Sequence, residues 1–87
     1  MKPTILFVDD EPKVLATLRR MFMRDCNVLV AEDGRLALRL LAQHKVDVLV
    51  CDQRMPEMSG IEVLRAAREV SPRTVRIVLT GYADLDA

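Results

Sequence analysis

Short apolar runs alternate with amphipathic segments along the whole of this 87-residue chain. Runs of four to six mostly aliphatic residues are typical of buried strands. The predicted strands are Ile5–Val8, Asn27–Ala31, Val46–Cys51 and Arg76–Leu79. Between them, apolar residues recur at i, i+3 and i+4, which is the spacing of one helix face. The predicted helices start at Pro12 and cover residues 35–43 and 61–69.

This order of elements restricts the fold. Strands that alternate with helices across short connections pair in parallel through right-handed crossovers. We therefore expect residues 1–87 to form one α/β domain with a doubly wound parallel sheet. With the strand order 2-1-3-4, the crossover direction reverses between the first and third strands, so their carboxyl ends border one crevice.

Composition excludes several classes of protein. Thirteen basic and thirteen acidic residues cancel, so no net field favours nucleic acid or anionic lipid. No apolar stretch approaches the roughly 20 residues of a membrane span, and we expect a cytoplasmic protein without a signal peptide. Cys26 and Cys51 are expected to be small core residues rather than a disulfide or metal pair.

Two local features carry packing expectations. The first helix should turn one apolar face inward, whose members are Val14, Leu15, Leu18, Met21 and Phe22. Gly60, which precedes the third helix, is expected to supply backbone freedom that a residue with a side chain would lack there.

Aspartates follow two of the strands. Asp9 and Asp10 come after the first strand and Asp52 after the third, at the edge where parallel sheets bind ligands. Carboxylates brought close together repel one another unless a cation intervenes, and Mg²⁺ prefers such hard oxygen ligands. An aspartate beside Mg²⁺ can attack phosphorus to give an acyl phosphate, which makes Asp52 the candidate nucleophile. Thr80 ends the neighbouring strand, where its hydroxyl can donate to a phosphoryl oxygen.

Three motifs in this order carry a family resemblance over all 87 residues. They are Val8-Asp9-Asp10-Glu11, then Asp52 followed by Met55-Pro56-Glu57-Met58-Ser59-Gly60, then Leu79-Thr80-Gly81. Together they resemble a response-regulator receiver domain of two-component signalling, which has a flavodoxin-like fold. The resemblance implies that Asp52 is the phosphoacceptor and that Mg²⁺ lies between Asp9, Asp10 and Asp52. It also implies that Asp9 acts through water, that the Arg54 backbone carbonyl is a further ligand, and that Thr80 is the switch hydroxyl.

The chain departs from the family at its carboxyl end. Receivers carry a lysine at the end of a fifth strand that pairs with the phosphoryl group, and a switch aromatic on that strand. The lysines here are Lys2, Lys13 and Lys45, all before Thr80. We therefore expect a receiver domain that is incomplete at its C-terminus, with the fifth strand absent. The fourth strand would then be an exposed edge, through which we expect the chain to self-associate.

A second departure concerns two large side chains. Arg54 and Tyr82 lie two residues beyond the phosphoacceptor and the switch threonine, where side chains can cover a phosphoryl group. We expect both to restrict access of water to it.

The resemblance implies a phosphorylation-dependent switch. Such a domain accepts a phosphoryl group from a histidine kinase or phosphotransfer protein, relays the signal to an effector domain or partner, and is not a turnover enzyme. Two alternatives stay open: an interaction module that is not phosphorylated, and a Mg²⁺-dependent aspartyl-phosphate phosphohydrolase. Against the phosphohydrolase, those enzymes resemble one another in an Asp-x-Asp motif after the first strand, whereas here the two acids are adjacent.

Overall fold

Four parallel strands and three helices make up residues 1–80, the part of the chain that the computed structural model describes. In order they are β1 (Thr4–Val8), α1 (Pro12–Phe22), β2 (Asn27–Ala31), α2 (Gly34–Gln43), β3 (Val48–Asp52), α3 (Gly60–Val70) and β4 (Val75–Leu79). The sheet has the order β2-β1-β3-β4 with all pairs parallel, which confirms the predicted doubly wound fold.

Local hydrogen bonds set where the helices begin. Pro12 occupies the first turn of α1, where its missing N–H costs nothing. The Asp33 carboxylate accepts from the Leu36 N–H at 2.8 Å, so α2 starts at Gly34, one residue earlier than predicted. None of these helices is both long enough and apolar enough to cross a membrane, within the described residues.

The third helix begins with a reciprocal cap. The Glu62 N–H donates to the Ser59 hydroxyl at 3.2 Å, and the Ser59 N–H donates to the Glu62 carboxylate at 3.1 Å. The hydrogen bond from the Ser59 N–H to the carboxylate, followed by a weaker one from the Ser59 hydroxyl and the nearby Arg65 charge, holds the pKa of Glu62 below its usual range. The cap fixes the start of α3 directly after the loop that follows β3.

The main core lies between the sheet and the helix pair α2 and α3. Its fully buried members are Leu6, Val8, Ala31, Ala37, Leu49, Cys51, Val63 and Ala67, each at most 2% exposed. Side chains alternate between the faces of a strand, so Phe7 points to the opposite face. There it packs on Phe22 of α1 with ring centroids 5.3 Å apart.

The predicted inward face of α1 is only partly buried. Leu15 is buried, and Leu18 and Phe22 are half-buried, as expected. The expectation was wrong for Val14 and Met21, which are 39% and 65% exposed. The physical reason is that α1 contacts only β1 and β2 among the described elements, so the far side of its apolar stripe has nothing to pack on.

The two free thiols should differ sharply in reactivity. Burial, together with the charges of Asp52 and Asp9, raises the pKa of Cys51 to about 12, whereas Cys26 is half-buried near the surface. The thiolate is the reactive form, so at pH 8 a maleimide should label Cys26 in the folded protein and spare Cys51. Both should react in denaturant. A Cys26→Ser variant serves as the control, and rapid labelling of that variant while folded would contradict the packing described here.

Candidate functional site

Three carboxylates converge at the carboxyl end of the sheet. One oxygen each of Asp9, Asp10 and Asp52 lies within 4.8 Å of the others. The cause is the register of the two central strands, in which Val8 is paired with Cys51, so that the next residue of each strand is an aspartate. The structure thus brings together the three acids that the sequence predicted to share one crevice.

Backbone hydrogen bonds hold Asp9 in place. Its carboxylate accepts from the Glu11 N–H at 2.9 Å, and its own N–H donates to the Ala31 carbonyl at 3.1 Å. Asp9 is half-buried while Asp10 is exposed. The first acid is therefore anchored to the β1–α1 turn, and the second faces solvent.

Asp52 is the last residue of β3, and Gln53 fixes the chain immediately after it. The Gln53 N–H donates to the Leu79 carbonyl at 2.9 Å, and its own carbonyl accepts from the Gly60 N–H at 3.0 Å. The Gln53 side-chain oxygen also accepts from the Ile61 N–H at 2.9 Å. Gln53 thereby closes the base of the loop over residues 54–59. Sequence reasoning missed this role, because one glutamine after a strand forms no pattern.

Gly60 is required by close approach. A Cβ atom at this position would lie 2.6 Å from the Asp52 carbonyl oxygen and 2.9 Å from the Gln53 Cα. No glycine among the described residues has a positive φ, so backbone freedom, the expected reason, is not the cause. The glycine lets the start of α3 sit directly against the residue that ends β3.

The loop itself contains a tight turn. Glu57 has φ of 68°, a left-handed conformation that is uncommon for a residue with a side chain. Around it the Met58 N–H donates to the Pro56 carbonyl at 2.7 Å, which is the three-residue pattern of a γ-turn. This turn directs Met58 back onto the core, where it packs beside Gly34.

Two of the remaining predicted site residues, Thr80 and Arg54, follow strand ends at the same edge of the sheet as Asp52. Thr80 directly follows β4 and is exposed; its neighbour Leu79 is paired with Asp52, which places Thr80 at the same edge of the sheet. Arg54 is exposed, two residues beyond Asp52. Tyr82, the other residue predicted to cover a phosphoryl group, lies outside the described residues.

The donor atoms fit a hard cation. Oxygens at opposite vertices around Mg²⁺ are about 4 Å apart, since each bond is about 2.1 Å long. The oxygens of Asp9, Asp10 and Asp52 lie within 4.8 Å of one another, so a small adjustment brings them within reach of one ion, and all three groups are carboxylates. Mg²⁺ prefers this chemistry, whereas zinc and copper favour nitrogen and sulfur ligands. Cys51, the residue before Asp52, is fully buried in the core and is not a member of the cluster.

Comparison with known proteins agrees with this arrangement. A family model described as the response regulator receiver domain matches residues 5–87. The hydrogenase transcriptional regulatory protein HoxA of Cupriavidus necator is 43% identical over 81 residues, which cover 93% of this chain. The chain spans only 17% of the length of that relative.

Solved structures show the same likeness. A structure described as adenylate cyclase from Rhodopirellula baltica has a TM-score of 0.93 at 39% identity, over 99% of this chain and 64% of the other. A receiver domain from Clostridium thermocellum has a TM-score of 0.87 at 32% identity, over 97% of this chain and 69% of the other. Fold, acidic cluster and sequence matches agree, and the chain belongs to the response regulator receiver domain family.

Proposed function

We propose that residues 1–87 belong to a receiver domain, incomplete at its C-terminus in this chain, that accepts a phosphoryl group on Asp52 with Mg²⁺ bound beside it. The observation that carries the proposal is the convergence of three carboxylates from two adjacent strand ends within 4.8 Å. Membership of the receiver family supports the same conclusion. The donor would be a histidine kinase or phosphotransfer protein of the cytoplasm.

The residues of the cluster have different proposed roles. Asp9 and Asp10 would hold the cation, together with Asp52 itself and the backbone carbonyl of Arg54. When bound, Mg²⁺ neutralises charge on the incoming phosphoryl oxygens. A carboxylate oxygen of Asp52 attacks phosphorus as the P–N bond to the donor's histidine breaks, and the bonding electron pair stays on the imidazole nitrogen. The product is an acyl phosphate on Asp52.

Thr80 is proposed to sense that product. The Asp52–Leu79 pairing places the following residue, Thr80, beside the carboxyl end of β3, where neighbouring strands are about 4.8 Å apart. A phosphoryl group on Asp52 adds charged acceptor oxygens, to which the exposed Thr80 hydroxyl can donate. The domain would pass on its signal through this new hydrogen bond of Thr80, and not by turnover of a substrate.

The output lies with an effector domain or partner. The relatives differ in what their names describe, since one is a hydrogenase transcriptional regulator and another an adenylate cyclase. We therefore propose that this domain receives the signal and that the effector joined to it determines the output.

Loss of the Asp52 carboxylate should abolish phosphorylation. With a small-molecule phosphoryl donor and Mg²⁺, the unmodified protein should gain the mass of one phosphoryl group, labile to hydroxylamine as an acyl phosphate is. Asp52→Asn should gain none, because the amide is not a nucleophile. Asp25→Asn, at an exposed residue outside the cluster, is the matched control and should react normally. Equal labelling of the two variants would remove Asp52 as the acceptor.

Shortening Arg54 should speed loss of the phosphoryl group. We propose that its side chain shields the acyl phosphate from water, so Arg54→Ala should hydrolyse several-fold faster. The release of inorganic phosphate from phosphorylated protein measures the rate. Arg65→Ala, at an exposed position of α3, controls for the loss of a positive charge. An unchanged rate in Arg54→Ala would refute the shielding role.

Adding a methyl group at Gly60 should disturb the site as well as the fold. Gly60→Ala forces the start of α3 away from the Asp52 carbonyl, and overpacking of this kind costs about 1–3 kcal/mol of unfolding free energy. Mg²⁺ binding, followed by the NMR shifts of the Asp9 and Asp52 amides, should weaken.

The matched control for this substitution is Ser59→Ala. It removes the α3 cap and costs about 1 kcal/mol, but places nothing against Asp52. An equal Mg²⁺ affinity in the Gly60→Ala and Ser59→Ala variants would show that the close approach does not position Asp52.

A further inference from the structure

The first three N–H groups of α3 are each paired with an acceptor. A helix offers these groups no partner of its own, so the acceptors must come from elsewhere. The Ser59 hydroxyl accepts from the Glu62 N–H at 3.2 Å. Gln53 accepts from the other two, its carbonyl from the Gly60 N–H at 3.0 Å and its side-chain oxygen from the Ile61 N–H at 2.9 Å. A residue directly after β3 therefore caps a helix on the far side of the following loop.

The same residue is bound to the sheet. The Gln53 N–H donates to the Leu79 carbonyl of β4 at 2.9 Å. The side chain of Gln53 is half-buried and reaches the face of the sheet on which α3 packs. Its N–H, its carbonyl and its side-chain oxygen are thus all engaged, with two different elements. These bonds leave the main chain at Gln53 little freedom to rotate.

Two of the proposed Mg²⁺ ligands are the chain neighbours of Gln53. Asp52 precedes it and would supply a carboxylate, and Arg54 follows it and would supply a main-chain carbonyl. Each peptide unit is planar, so holding the N–H and the carbonyl of Gln53 fixes the peptide planes on both sides of it. Only the two main-chain torsions of Arg54 then separate its carbonyl from a fixed plane.

The side chain of Gln53 adds what its main chain alone does not. Any residue at this position offers the carbonyl that accepts from Gly60, and a single hydrogen bond leaves the start of α3 free to pivot about it. The second bond, from the neighbouring Ile61 N–H, removes that freedom. The amide oxygen is also uncharged, so it caps α3 without adding a fourth carboxylate to a cluster whose members already repel one another.

We propose that the Gln53 side chain is a positioning residue for Mg²⁺. By holding the start of α3 against the end of β3, it keeps the Asp52 carboxylate and the Arg54 carbonyl where one ion can bind both. The proposal rests on the Mg²⁺ site of the proposed function and adds a residue that does not touch the ion. Groups that orient metal ligands in this way typically cost about 10- to 100-fold in metal affinity when they are removed.

A Mg²⁺ titration of the whole chain, followed by the NMR shifts of the Asp9 and Asp52 amides, measures the effect. Gln53→Met is similar in length and uncharged but lacks the amide oxygen, so its Kd for Mg²⁺ should rise about 10-fold. Ser59→Ala is the matched control, because it also removes one side-chain acceptor from the start of α3. Its Kd should stay near that of the unmodified chain, and circular dichroism should show that both variants are folded.

Phosphorylation kinetics separate positioning from a general loss of structure. With a small-molecule phosphoryl donor, Gln53→Met should need about 10-fold more Mg²⁺ to reach half of its maximal rate. Its maximal rate at saturating Mg²⁺ should stay near that of the unmodified chain, because the bound ion then holds its own ligands in place. A lower maximal rate with an unchanged Mg²⁺ requirement would contradict the positioning role.

Hydrogen exchange of the Ile61 amide, measured without Mg²⁺, reports the hydrogen bond itself. Exchange should be faster in Gln53→Met and return toward the unmodified rate in Gln53→Glu, which restores an acceptor at the same length. Equally fast exchange in the two variants would show that the acceptor is not what holds the start of α3.

The titration also distinguishes failure of this proposal from failure of the proposed function. If the unmodified chain binds Mg²⁺ and Gln53→Met and Ser59→Ala bind it equally well, the role of Gln53 is refuted while the Mg²⁺ site stands. If the unmodified chain shows no Mg²⁺-dependent shifts at Asp9 and Asp52, the site itself is refuted, and the role of Gln53 with it.

Discussion

The parallel register between β1 and β3 is the constraint on which the candidate site depends. Val8 is paired with Cys51. The residues that follow these two are Asp9 and Asp52, which therefore lie side by side. A slip of one residue would turn every side chain of a strand to the other face. Leu6 and Leu49, paired in that register and fully buried, make such a slip costly. Core packing thus positions the carboxylates, although no core residue takes part in the chemistry.

Around Asp52 the sheet and α3 are joined by short contacts rather than by a long flexible connection. Gln53 makes hydrogen bonds to Leu79, Gly60 and Ile61, so it ties the end of β3 to both β4 and the start of α3. Gly60 allows that closeness, and the Ser59 cap ends the loop. An acyl phosphate on Asp52 would therefore form at a point where two strands and one helix meet.

The exposed apolar residues are explained by how the helices pack on the sheet within the described residues. Parallel sheets are normally buried on both faces, because their strands are apolar on both sides. Here α2 and α3 cover one face, while α1 reaches only half of the other within the described residues. The exposure of Met21 on α1 and of Val75, Ile77 and Leu79 on β4 follows from this one fact, and both segments have the sequence pattern of buried structure.

The sequence by itself determined the strands, the helices, the parallel pairing and the acids that would meet. All of these follow from local periodicity and from the rule that parallel strands end at one edge of a sheet. Only the tertiary structure decided that Val14 and Met21 are exposed, because burial depends on what packs opposite rather than on spacing along a helix. The same holds for Gln53 and Gly60, whose partners lie on other elements. Chain periodicity specifies which face of an element is apolar, but only the assembled fold specifies what, if anything, covers it.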